Sequence, residues 1–158
     1  MEDLITKEEI KEIEESNCPI EKREEYLAMN EKYKQELLDI VNEHYGPWDN
    51  FLGAFFDVIV RHWKDYYKLG YNVQGMEIKD TPEFNKPNRP TRYEIACEME
   101  RLYNRWDNFT GMDDNFKYYE KYHKEDGSID FDLIDKDYLQ YKKDFFDYYM
   151  EYAPDMWD

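Results

Sequence analysis

The chain has 158 residues and carries 38 Asp and Glu against 21 Lys and Arg, a formal charge of −17. That length suits one domain, and residues 1–158 read as a single helical domain. With 41% hydrophobic and 18% aromatic residues it can build a core, which excludes wholesale disorder, and its charge disfavours a direct grip on nucleic acid.

From the amino end, Thr6-Lys7-Glu8-Glu9 is a capping-box pattern that predicts a short helix with Ile10 and Ile13 inward. Asn17-Cys18-Pro19 breaks it, and Pro19 suits the first turn of a second helix running to about His44. Tyr26, Met29, Tyr33, Leu37, Ile40 and Val41 are its inward positions, and Gly46-Pro47 ends it. Asp49 caps a third helix that continues to Leu69 and stops at Gly70. Phe51, Leu52, Phe55, Phe56, Ile59, Val60, Trp63 and Tyr67 cover most of its circumference, which places it in the middle of a bundle.

Residues 70–91 hold two glycines and three prolines and predict an irregular loop; Lys79, Lys86 and Arg89, with Arg92 just beyond, make it the cationic part of the chain. Thr91-Arg92-Tyr93-Glu94 is a second capping box, opening a helix with Ile95, Met99, Leu102, Trp106 and Phe109 as its apolar stripe, ended by Gly111. Asp113 or Asp114 caps a fifth helix through about Lys124, and a turn at 125–134 leads to a last helix near 136–152, closed by Pro154. The fold class is all-α, a compact bundle of about six helices.

Trp48-Asp49-Asn50-Phe51-Leu52-Gly53 and Trp106-Asp107-Asn108-Phe109-Thr110-Gly111 agree at five of six positions. At the same offset Glu36 aligns with Glu94, Leu37 with Ile95, Val41 with Met99 and Tyr45 with Tyr103. A duplicated helix pair accounts for this echo, and so does chance in an aromatic-rich chain. Either way the tryptophans read as core anchors.

Catalytic chemistry is poorly provided for. Ser16 and Ser128 sit in predicted turns with no histidine at a meaningful spacing, and Cys18 and Cys97 have no motif around them and read as buried thiols in a reducing cytoplasm. Glu120-Lys121-Tyr122-His123 has the spacing of two ligands on one helix face, but a di-iron bundle needs a second copy. His62 reads as a hydrogen-bonded core residue, and His44 suits a helix C-terminus. Asp126-Gly127-Ser128-Ile129-Asp130-Phe131 resembles the second half of an EF-hand loop, which implies a similar turn. Tyr122, Lys124 and Leu133 stand where three ion ligands belong, so no calcium is expected. The expectation is no enzyme, no metal and no cofactor.

Charge is the informative signal. Residues 1–46 and 113–158 each hold 14 acids and 6 bases, the first mostly Glu and the last mostly Asp, around a nearly neutral centre. Glu8, Glu12 and Glu15 form one helical row; Glu36, Asp39 and Glu43 form another; Asp137, Asp144, Asp147 and Glu151 form a third, with Asp155 just beyond. On the last helix this row lies beside the stripe Tyr138, Tyr141, Phe145, Tyr149 and Tyr152. Acids three or four residues apart rise roughly 4.5–6 Å along a helix, a spacing comparable to that of charges on a nucleic-acid strand.

Small size, acidity, abundant aromatics and a helical reading together resemble the inhibitors encoded by bacteriophages and mobile elements, notably anti-CRISPR and antirestriction proteins of the nucleic-acid-mimic type. The resemblance is one of character over the whole chain and transfers no residue roles. It implies a protein-binding inhibitor in the bacterial host cytoplasm, occluding the nucleic-acid cleft or nuclease domain of a basic partner such as a Cas nuclease or restriction enzyme. No membrane is involved, since no run reaches the roughly 18 apolar residues of a span and Met1-Glu2-Asp3 lacks the cationic opening of a signal peptide. A homodimer is left open. The rival reading is a small acidic helical adaptor or regulatory subunit that uses an apolar patch.

Overall fold

The computed structural model describes residues 4–16, 18–43, 51–70, 89–110 and 120–156. Among them are five α-helices: α1 (Lys7–Glu15), α2 (Ile20–Glu43), α3 (Phe51–Leu69), α4 (Arg92–Thr110) and α5 (Phe131–Tyr152). Short 3₁₀ turns, Glu120–Tyr122 and Ala153–Met156, flank α5. The all-α class is as expected: among the described residues the β structure is a single isolated bridge between His123 and Ile129. No helix among them is long and apolar enough to cross a membrane. The chain divides into two compact units, Met1–Cys97 and Glu98–Asp158, and the division falls within α4.

In the first unit α1 folds back along α2. Thr6 caps α1 with the full capping box, its hydroxyl accepting from the Glu9 N–H while the Glu9 carboxylate accepts from the Thr6 N–H. At the other end the Arg23 guanidinium donates to the carbonyls of Glu14, Ser16 and Cys18 at 2.6–2.7 Å, which satisfies backbone acceptors left open where α1 stops. α3 then runs antiparallel to α2, with Tyr33 meeting Asp65 and Glu36 meeting Arg61. Ile13, Cys18, Tyr26, Met29, Tyr33, Ile40 and Val58 close the core between these helices. A side chain as fully buried as Ile13 contributes about 1.5–3 kcal/mol by leaving water. On α3 Val60, Trp63 and Tyr67 are buried as well, so two sides of that helix are covered. α3 ends at Gly70, whose φ of +80° is the left-handed cap that glycine adopts without strain.

In the second unit α5 runs antiparallel to α4 over an aromatic core. Phe145 is fully buried, with Trp106 stacked 5.9 Å away and Tyr103 edge-on at 5.6 Å. Phe109 meets Tyr141 at 5.2 Å and Tyr122 at 6.0 Å. Offset and edge-on pairs of this kind add about 0.5–1.5 kcal/mol each beyond the area they bury.

Several expectations need correcting. The count of six helices is not matched by the five α-helices described. Of the helix expected from Asp113 or Asp114 to about Lys124, residues 113–119 lie outside the described set. Its end is a 3₁₀ turn leading into a tight reversal, in which Lys124 N–H donates to Ser128 O and Asp130 N–H to Tyr122 O around Gly127 at φ +81°. The last helix starts at Phe131 rather than near 136, because the Asp130 carboxylate accepts from the Leu133 N–H and caps it. Val41, expected inward, is 43% exposed: α1 and α3 cover the side of α2 that carries Tyr26, Met29, Tyr33 and Ile40. The 58-residue offset pairs unlike positions, since Glu94 is in the first turn of α4 and Glu36 deep within α2, and Met99 is fully buried where Val41 is not. Trp106 is buried as an anchor, whereas Trp48, the Asp49 cap, Tyr45, Gly46-Pro47, Gly111 and most of the 70–91 loop lie outside the described residues.

Candidate functional site

The acidic rows that the sequence proposes meet different fates. On α5 three of them are matched by cations. Asp137 accepts from Lys121 Nζ and from the Tyr122 hydroxyl, both at 2.7 Å. The Lys121 contact holds the Asp137 carboxyl below its ordinary range, while burial and the same carboxylate push the Tyr122 phenol up to about 12. Asp144 is bridged to Arg105 of α4 and accepts from Gln140 Nε2 at 2.6 Å. Asp147 pairs with Lys143, and Glu151 is exposed and also engaged. The Asp155 side chain lies outside the described set. The α5 row is therefore largely neutralised.

On α2, Glu36 turns toward α3 and joins a buried-edge network. Arg61 Nη2 lies 2.7 Å from Glu36 and 2.8 Å from Asp57. Burial opposes its charge, but the two carboxylates outweigh that and raise the Arg61 pKa. One turn away the Tyr33 hydroxyl donates to Asp65 at 2.6 Å, and burial together with that carboxylate raises the Tyr33 pKa. Asp39 stays exposed with Gln35 donating to it at 2.6 Å, and the Glu43 side chain lies outside the described set.

What remains open is the outer surface of α1 and α2. Glu8 and Glu12 are exposed without an ion-pair partner among the described residues, and Glu15 has only a loose 3.7 Å pair with Lys11. Glu21, Glu24 and Glu31, which the sequence reading did not single out, are exposed on one side of α2 and have no base within ion-pair distance among the described residues. Two of the nearby cations are engaged elsewhere. Lys34 donates to Glu9 at 2.7 and 2.8 Å, which is the main reason the Glu9 pKa is lowered, and Arg23 is committed to backbone carbonyls. The missed signal was there in the spacing: intervals of three and seven keep these glutamates on one face.

The groups considered for chemistry are scattered. His62 was expected to be hydrogen-bonded in the core; it is half-buried and held instead by rings, 5.0 Å from Tyr33 and 6.0 Å from Tyr66. Its pKa is lowered by burial, which Asp65 partly opposes. His123 is exposed at the isolated bridge, so Glu120 and His123 do not share a helix face. His44, Lys79 and Lys86 lie outside the described set, while the Arg92 guanidinium sits 5.5 Å from the Tyr67 ring. Asp126 Oδ1 accepts from the Ser128 N–H and hydroxyl, which makes a tight Asx turn. Cys18 and Cys97 are free thiols; Cys18 is buried as expected, whereas Cys97, also expected to be buried, is only partly so. Among the described residues no group of three His, Cys, Asp or Glu is placed to hold a metal ion. No protein-family model, curated protein or solved structure matches this chain, which leaves its own residues as the ground for a functional reading.

Proposed function

We propose that this chain is a non-catalytic binding protein, an inhibitor of the anti-CRISPR or antirestriction kind, that occludes the nucleic-acid cleft of a basic bacterial defence enzyme with the acidic outer surface of α1 and α2. The observation that carries the reading is the set Glu8, Glu12, Glu21, Glu24 and Glu31, exposed and without base partners among the described residues. A partner groove lined by Arg and Lys would meet these charges with complementary potential, which speeds encounter and orients docking. Asp137 and Asp144 serve the fold in this reading, because their charge is already matched.

The test is charge reversal. E12K/E24K/E31K, at positions with no ion pair to lose, lowers association with a DNA-dependent nuclease that the native chain inhibits by about tenfold or more. Added duplex DNA and rising salt compete in the same direction. Inhibition that is indifferent to all three rejects the reading.

A second reading, the helical adaptor, is favoured by the outer side of α5, where Leu139 is 61% and Met150 71% exposed. For an adaptor, L139D/M150D abolishes partner binding while E12K/E24K/E31K spares it.

A further inference from the structure

The α2–α3 hairpin also carries a groove of opposite character, at the end where α2 begins and α3 stops. It has a volume of about 440 Å³ and is lined by Lys22, Glu25, Met29, Lys32, Asp65, Lys68 and Leu69. Three ammonium groups against two carboxylates make this a cationic spot on a chain of charge −17. Its acceptors are largely occupied. Lys22 donates to Glu25 at 2.8 Å, and the Asp65 Oδ2 that takes the Tyr33 hydroxyl at 2.6 Å makes only a loose ion pair with Lys32 Nζ at 3.7 Å. Lys32 Nζ also donates to the Tyr33 hydroxyl at 3.5 Å and lies 4.6 Å from the centre of that ring, which leaves it a further donor, and Lys68 is exposed with no carboxylate in ion-pair range among the described residues. Each ammonium has three donors, so Lys32 and Lys68 bring unused ones to the same groove. The opposed dipole ends of α2 and α3 offset one another, which leaves the lysines to set the sign. Met29 and Leu69 supply an apolar wall.

We infer that this groove binds a small amphipathic organic anion: a phosphate monoester or carboxylate held by Lys32 and Lys68, with its apolar body against Met29 and Leu69. The volume falls within the range of about 300–1,000 Å³ usual for small-molecule sites. The groove shares no lining residue with the glutamates of the α1–α2 acidic surface.

The experiment is an amide NMR titration of the full chain with phenyl phosphate, phenylacetate, inorganic phosphate and benzyl alcohol. Saturable shifts confined to residues 22–32 and 65–69 are expected with either or both of the aromatic anions, and comparison of the two identifies the preferred head group. Inorganic phosphate and benzyl alcohol bind at least about tenfold more weakly. K68Q and K32Q each weaken binding by about tenfold, with the circular-dichroism spectrum of the native chain; using both keeps the test valid if one variant fails to fold. Equal binding of inorganic phosphate, equal binding of benzyl alcohol, shifts elsewhere, no saturation, or unchanged affinity in a folded variant overturns the inference.

Discussion

At the scale of single residues, His62 couples folding to pH. Its folded pKa lies below the ordinary value near 6.5, so the unfolded chain takes up a proton first as pH falls. Its contribution to stability is present above about pH 6.5 and declines as pH drops toward its folded pKa. Urea midpoints should fall between pH 7.5 and 5.5 in the native chain, and the fall should be smaller in H62Q. Equal slopes in both would assign the effect to other groups. Glu9 is displaced in the same direction, though by a favourable partner rather than by burial: its lowered pKa stabilises the fold above its ordinary value of 4.5, and that contribution disappears as pH falls through the folded value. The burial of His62 was legible from its place between Val60 and Trp63, but its ring partners were not. Tyr33 is on another helix, and no helical periodicity pairs residues 33 and 62.

At the scale of elements, the end signals carry much of what could be read. Both capping boxes form: Thr91 accepts from the Glu94 N–H at 3.2 Å as Thr6 does from Glu9. T6A and T91A should each cost about 1 kcal/mol in urea denaturation. G70A should cost about 1–2 kcal/mol purely through backbone strain, since a Cβ there meets no atom within 4 Å. A measured cost near zero would mean that the left-handed turn is not kept in solution. The Asp130 cap was missed because the apolar period of α5 is weak in its first turn, where Phe131 is 64% exposed. Arg23 could not be foreseen as the tie between α1 and α2, because its acceptors are backbone carbonyls and these leave no mark in side-chain spacing. R23Q should lose about 2 kcal/mol and accelerate hydrogen exchange in residues 7–15, with little change in α5.

At the scale of the whole molecule, composition announced an anionic protein but not where the anion would stay uncovered. Asp137 and Asp144 of α5 are answered by Lys121 and Arg105, which lie 16 and 39 residues away in the chain, and only the fold brings these together. The α1 and α2 glutamates Glu8, Glu12, Glu21, Glu24 and Glu31 have no ion pair among the described residues, and Lys34 and Arg23 are drawn instead to Glu9 and to backbone carbonyls. Repulsion among so many like charges opposes compaction, and about 0.15 M salt screens it to a range near 8 Å. The thermal midpoint should therefore rise between very low salt and that concentration. A falling midpoint would mean that close pairs such as Glu9–Lys34 outweigh the repulsion.

The three-way grip of Arg23 also has a practical consequence. Trypsin must draw an arginine side chain into its specificity pocket before cutting, and this one is occupied by the carbonyls at the end of α1. Cleavage after Arg23 therefore waits for the hairpin to open, and the rate of that one cut reports how often the amino-terminal helix lets go.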